Sequence, residues 1–406
     1  MLRSWLRTMI GKDKRNTARP FRVVVFFGHH KVGSSALQTH LARIAPAALR
    51  QGVLYPAVTA QDLKLLVKQT ESGAQVQRLS RNVTEAHNAL AFSMLGDRTG
   101  APIPAIHQGL PPTEEMFALI RRQIREFAPH TLVLASEVFA NFAAVTPELI
   151  DELFRGLGID KDSSQIELFA YLRRVDDYLA SWHAQRVRFG ERVRALPQGA
   201  LGHYRKGIHF DYRLMVEGWM EQLPTARLVL QPYDQTVRDA GSSQFFSDLM
   251  GIDLPKLADA DKQRVNVGLH RGLLDIARHA NFELEPAERG KMFNALLRIG
   301  PDLDLPPGRN VELFGPRARA ELAEHFAPIH GWLSDMRGQP FFEDIGQIGT
   351  CAPIDEFDVN QEALAQIRER HIGAFTSAGS SFIRAFEPAR NFPNETPTGS
   401  KSGQKP

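Results

Sequence analysis

Residues 22–50, RVVVFFGHHKVGSSALQTHLARIAPAALR, allow few folds. A continuous β-branched and aromatic run from Arg22 to Phe27 gives way to a loop carrying Gly28 and Gly33. Then Leu37, Leu41, Ile44 and Ala48 recur at i, i+4, i+7 and i+11. The order predicts strand, loop and amphipathic helix. A strand that is apolar on both faces belongs inside a parallel sheet, where helical crossovers cover each side.

Later segments repeat the unit. Met116, Ile120, Ile124 and Phe127 mark a helix before a strand at TLVLAS (131–136), and a helix at 147–157 precedes QIELFAYL (165–172). A helix with Leu214, Met215, Gly218, Trp219 and Leu223 inward precedes RLVLQPYD (227–234). The expected fold class is α/β: a P-loop-like open parallel sheet flanked by helices, binding its ligand at the carboxyl ends of the strands. The polar stretch 57–112, ending in LGDRTGAPIPAIHQGLPP, is long for a connection and reads as a helical cap insertion over the sheet edge. Beyond residue 255 only helical patterns are expected, VGLHRGLLDIARHANFEL being the clearest. Trp182 and Trp219, both on helical patterns, are expected in the core. The expected organisation is a basic N-terminal segment (1–20), an α/β core (21–285), a helical C-terminal region (286–386) and a disordered tail (387–406) rich in Pro, Gly, Ser and Lys.

Composition narrows the function. The excess of 49 Lys and Arg over 46 Asp and Glu is only +3, too little to argue for a nucleic-acid surface. Cys351 is the single cysteine, which rules out an internal disulfide and a cysteine-rich metal site and fits a reducing, cytoplasmic setting. Arg3 and Arg7 interrupt the short apolar run of MLRSWLRTMIGK, arguing against a cleaved signal peptide. Leu2, Trp5, Leu6, Met9 and Ile10 have helical spacing among cations. A docked terminal helix is the first reading and peripheral membrane contact the second.

Gly28 and Gly33 are spaced as in the phosphate-binding pattern G-x-x-x-x-G-K-[ST]. Ser34, however, stands in the place of the lysine, and the lysine lies inside the loop at Lys31. A loop between a strand and a helix presents backbone N–H groups and the positive helix end to an anion. Lys31 and the hydroxyls of Ser34 and Ser35 strengthen that reading over an ordinary glycine turn. A second motif is YLRRVDDYLASWHAQRV (171–187). Arg173 ends a strand, Asp176 and Asp177 open a helix, and Ser181 follows Arg173 by eight residues. An arginine and a serine so placed can clamp one phosphate, the guanidinium bidentately; the plain alternative is a solvated surface helix.

Together the two motifs resemble the sulfotransferases that use 3′-phosphoadenosine 5′-phosphosulfate (PAPS), in particular the bacterial carbohydrate-type members. Lys31, Gly33, Ser34 and Ser35 match that family's K-x-G-[ST]-[ST] loop for the 5′-phosphosulfate, and Arg173 and Ser181 match its 3′-phosphate pair. GVLYP (52–56), LASE (134–137), QPYDQ (231–235), FFSDLMGID (245–253) and RVNVGLH (264–270) follow in family order over roughly residues 20–285. The loop serines stand where threonines are frequent, and Val175 where many relatives have proline or a polar residue. The resemblance implies PAPS as co-substrate, no required metal, and a carbohydrate or glycolipid hydroxyl as acceptor. It implies that Lys31 stabilises the leaving phosphate and that Arg264 and Asn266 close over the nucleotide. His29 and His30, in the loop, are further candidates to contact phosphate or acceptor, the plain alternative being that they only shape the turn. A general base must take the acceptor's proton. Glu137, at the carboxyl end of TLVLAS and so on the same rim as the loop, is the first candidate, and His87 in EAHNALAFSML the second. A P-loop kinase or NTPase, and an inactive nucleotide-binding relative, are the competing readings.

Overall fold

The computed structural model describes residues 21–73, 79–107, 109–254 and 268–392. The basic N-terminal segment, Arg264 and Asn266 lie outside the described residues. Five strands, β1 (Arg22–Phe26), β2 (Val53–Leu54), β3 (Thr131–Ala135), β4 (Gln165–Leu172) and β5 (Arg227–Pro232), form one parallel sheet in the order β2-β3-β1-β4-β5. The longer helices are α1 (Ser34–Arg50), α2 (Ala60–Ser72), α3 (Ala86–Thr99), α4 (Thr113–Phe127), α5 (Glu148–Leu157), α6 (Val175–Arg188), α7 (Arg213–Gln222), α8 (Ser242–Met250), α9 (Leu274–Glu283), α10 (Pro286–Ile299), α11 (Pro316–Arg337), α12 (Glu356–Gln366) and α13 (Ser377–Ala385). The fold is therefore α/β, a parallel sheet flanked by helices.

The chain divides into two compact units. One runs to Arg173 and resumes at Asp211 through β5 and α8; the other comprises Arg174–Phe210 and the described residues from 268 onward. The first holds the whole sheet. Val23, Val24, Val25 and Phe26 of β1 have no exposed surface, as a strand with neighbours on both edges and both faces requires. Phe26 pairs with Ala135 of β3 on one side and Phe169 of β4 on the other. Leu37, Leu41, Ile44 and Ala48 of α1 are all buried, as their spacing predicts. In the stretch expected as a cap, α3 is buried over most of its length, and its His87 ring meets the backbone at the end of β3.

Three short strands carry too little pattern to be read from sequence. They are β2, and the parallel pair β6 (Val311–Glu312) and β7 (Ile354–Asp355) of the second unit, which corrects the expectation of helices alone beyond residue 255. Each has two residues, a single period of side-chain alternation and so no repeat to read. Leu214 corrects a second expectation, being 42% exposed. Met215, Val216 and Trp219 form the buried face of α7, and two residues from Val216 puts Leu214 nearly opposite it at 3.6 residues per turn. Trp219 is core, its Nε1–H donating to Phe139 O at 3.2 Å. Trp182 is only half-buried and stacks on His209, ring centroids 4.0 Å apart.

Candidate functional site

The loop between β1 and α1 lies where the sheet order reverses, with the chain proceeding to β2 and β3 on one side of β1 and to β4 and β5 on the other. In open α/β sheets that is the place where ligands bind, at the carboxyl ends of the strands. Beyond β1 the backbone keeps pairing with β4: Phe27 N–H donates to Phe169 O at 3.0 Å and His29 N–H to Tyr171 O at 3.3 Å. The chain then turns through two left-handed residues, Lys31 at φ 62° and Gly33 at φ 76°. Lys31 accepts the steric cost of that conformation, about 1–2 kcal/mol for a residue with a Cβ. Left-handed residues alternating along a turn aim neighbouring N–H groups into one concavity, the geometry of anion-binding nests.

α1 begins at Ser34 with no side-chain cap and no acidic residue in its first turn. No side chain of its own first turn neutralises its positive end, which suits an anion. Ser34 is buried, while Ser35 and Lys31 are half-exposed. Burial and the neighbouring Lys31 charge push the His30 pKa down to about 4, so its ring is neutral at physiological pH. Arg173, just past β4, places Nη1 3.5 Å from Lys31 O, at the outer limit of a hydrogen bond. Tyr212 OH donates to the Arg173 carbonyl at 2.7 Å. Ser242 Oγ donates to Gly33 O at 3.2 Å, and Tyr171 OH in turn to Ser242 O at 2.7 Å. Loop, strand end and the start of α8 are therefore bound together.

Glu137 follows the end of β3 and is 9% exposed. Gln38 Nε2 donates to its Oε2 at 2.6 Å and Asn88 Nδ2 to its Oε1 at 3.3 Å, and the Ser34 hydroxyl contributes a further hydrogen bond. Burial raises the Glu137 pKa; the hydrogen bonds from its own backbone, Gln38, Asn88 and Ser34 pull it down without reversing the shift. The carboxylate is thereby a stronger base than an exposed glutamate. His87, the second candidate base, has no exposed surface, and its Nδ1 accepts from Ala135 N–H at 2.9 Å. Burial holds its pKa down at about 3 against the opposing pull of the Pro56 and Ala135 backbone. Its ring is a neutral partner for the end of β3.

Lys31, Gly33, Ser34, Arg173 and Glu137 thus gather at one end of the sheet. Ser181 is half-buried on α6, in the second unit. Gln38, Asn88, Tyr212 and Ser242 are contacts that sequence reading missed. For Gln38 a signal existed: it lies one turn after Ser34, on a helix whose neighbouring inward positions are apolar. Among the described residues no group of three or more His, Cys, Asp or Glu can hold a metal ion, and no helix is long and apolar enough to cross a membrane.

No protein-family model and no solved structure matches the chain. A stretch of 171 residues is 26% identical to a protein of Archaeoglobus fulgidus described as an uncharacterized protein. The match covers 41% of this chain and 44% of the archaeal one, less than half of either.

Proposed function

We propose that the chain is a PAPS-dependent sulfotransferase that moves a sulfuryl group to a hydroxyl, on a carbohydrate or glycolipid. The observation that supports it most is the meeting of Ser34 and Glu137: the first helical residue of an anion-binding loop is hydrogen-bonded to a buried carboxylate whose basicity burial has raised. In the reaction the acceptor oxygen attacks sulfur, the bond from sulfur to the phosphate oxygen breaks, and adenosine 3′,5′-bisphosphate leaves. Glu137 takes the acceptor's proton. Lys31, the loop N–H groups and the serine hydroxyls receive the charge that grows on the leaving phosphate. One such preorganised donor is worth about 3 kcal/mol of barrier. The family motif assigns the 3′-phosphate to Arg173.

The same contact also favours a second reading. In P-loop kinases and NTPases an acidic strand end and the loop Ser/Thr share a magnesium ion. Against it stands the position of Lys31, inside the loop rather than after the second glycine. Calorimetry with adenosine 3′,5′-bisphosphate, adenosine 5′-monophosphate and magnesium-ATP decides between them. Tight binding that requires both the 3′-phosphate and the Arg173 side chain (Arg173→Ala) is expected. Preference for magnesium-ATP would replace the sulfotransferase reading with the kinase one.

A further inference from the structure

Behind the loop lies a buried polar network in which uncharged side chains hold the Glu137 carboxylate, with Glu85 at its edge. Asn88 Oδ1 accepts from Ser136 Oγ at 2.6 Å and from Gln38 Nε2 at 3.1 Å. With its oxygen committed to two donors, the Asn88 amide has one orientation, and its NH2 faces Glu137 Oε1 at 3.3 Å and Glu85 Oε2 at 3.5 Å. Gln38 likewise directs its NH2 to Asn88 and to Glu137 Oε2. Ser136, Gln38, Asn88 and Glu137 are each at most 9% exposed.

The arrangement has a cost that points to its use. With its NH2 so committed, Gln38 leaves Oε1 buried and without a hydrogen-bond partner among the described residues. An apolar side chain at that position would avoid the burden. What the amide gains is its grip on Glu137. Uncharged donors fix both carboxylate oxygens without the large loss of basicity that an arginine or lysine would cause.

We propose that Gln38 and Asn88 are positioning residues for Glu137, holding its carboxylate at the loop with neutral donors so that it is oriented and still able to accept a proton. The proposal deepens the sulfotransferase reading and rests on it for the identity of the proton donor. Other titratable groups near the carboxylate are Glu85 and Tyr55. Glu85 pairs with Arg81 at 2.5 Å and lies 3.8 Å from the His107 ring, while the Tyr55 hydroxyl is kept protonated by burial and by the charges of Glu85 and Glu137.

Gln38→Met keeps length and packing and removes both donated bonds; Asn88→Ala is a second, smaller change. Thermal unfolding establishes that each variant is folded. Adenosine 3′,5′-bisphosphate should bind both as it binds wild type, within about threefold. Turnover of PAPS with water as acceptor should fall up to about 100-fold at pH 6, the low end of the roughly 10²–10⁴-fold scale of general base catalysis, since Glu137 itself remains. Loss of donors to the ionised form raises a carboxyl pKa. The acid limb of the rate profile should therefore move to higher pH, and turnover should recover above it. An unmoved limb would overturn the positioning role.

An activity-free readout separates this from failure of the sulfotransferase reading. The Glu137 carboxyl stretch, isolated by infrared difference against Glu137→Gln, should titrate at higher pH in Gln38→Met than in wild type. An unchanged titration overturns the inference even if PAPS is turned over. If wild type neither binds adenosine 3′,5′-bisphosphate nor consumes PAPS, the proposed function falls, and an upward infrared shift still supports the hold on Glu137.

Discussion

Gly28 lies so close to Tyr171 that a Cβ added to it would stand 2.8 Å from the Tyr171 backbone nitrogen and 3.1 Å from its carbonyl oxygen. Both obstacles are main chain of a central strand, so they cannot swing aside. Gly28→Ala should therefore cost about 1–3 kcal/mol, the range of an overpacked core, and push the loop off β4. Urea unfolding measures the first effect, and weakened binding of adenosine 3′,5′-bisphosphate the second.

Lys31 makes the opposite case, since its left-handed backbone is one that glycine adopts without strain. Lys31→Gly should leave stability unchanged or raise it by up to about 1 kcal/mol, the strain relief being partly offset by glycine's entropy. Sulfuryl transfer should fall about 100-fold or more if the amine carries charge to the leaving phosphate. Paired urea melts and PAPS turnover test both halves; a folded variant with full turnover would remove Lys31 from the mechanism.

Glu167 of β4 is buried between Arg22, at 2.6 and 3.0 Å, and Arg227, at 2.7 Å. Burial alone would raise its pKa, but the bonds and charges of the two arginines prevail and lower it. A carboxyl depressed in the folded state contributes stability above its unfolded pKa and loses it as pH falls through the folded value. Glu167→Gln should therefore destabilise by about 3 kcal/mol at pH 7, where it breaks a buried pair. The gap from wild type should shrink below about pH 4. Urea midpoints at pH 7 and pH 3.5 provide the comparison.

In the second unit the sign reverses. The Asn391 amide donates to Glu356 Oε2 at 3.0 Å and to Asp275 Oδ1 at 3.1 Å, while Arg278 pairs with Asp275. Burial first, and then the Asp275 charge, raise the Glu356 pKa well above its usual value. A carboxyl raised in the folded state holds its proton when the unfolded chain has released it, so stability falls as pH rises from the unfolded pKa to the folded one. Glu356→Gln, which mimics the protonated form, should match wild type near pH 4 and exceed it at pH 8. Equal midpoints at pH 8 would contradict the shift.

Sequence patterns were legible where they were long. β1, β4 and the buried stripes of α1 and α4 span enough residues for burial to impose a period, whereas β2, β6 and β7 do not. At the candidate site, the meeting of Lys31, Arg173 and Glu137 was legible because each adjoins the carboxyl end of a predicted strand, and parallel strands bring those ends to one rim. Gln38 and Asn88 were missed because a polar residue among inward apolar ones looks like an exception to the stripe until its partner from another helix is seen. Leu214 failed for a related reason: an apolar residue beside a stripe is counted with it unless its angle is checked. The assignment of Arg173 and Ser181 to different units depends on packing far along the chain, to which eight residues of local sequence are blind.

The central place of β1 bears on how the proposed sulfuryl transfer would have to work. Its ladder is bonded along both edges, so a slide along the strand axis would break pairing with β3 and β4 at once. The glycine loop leaves the end of that doubly fastened strand. On the proposed reading it would serve as an anvil rather than a gate, and the movement that admits a nucleotide would fall to parts of the chain other than β1.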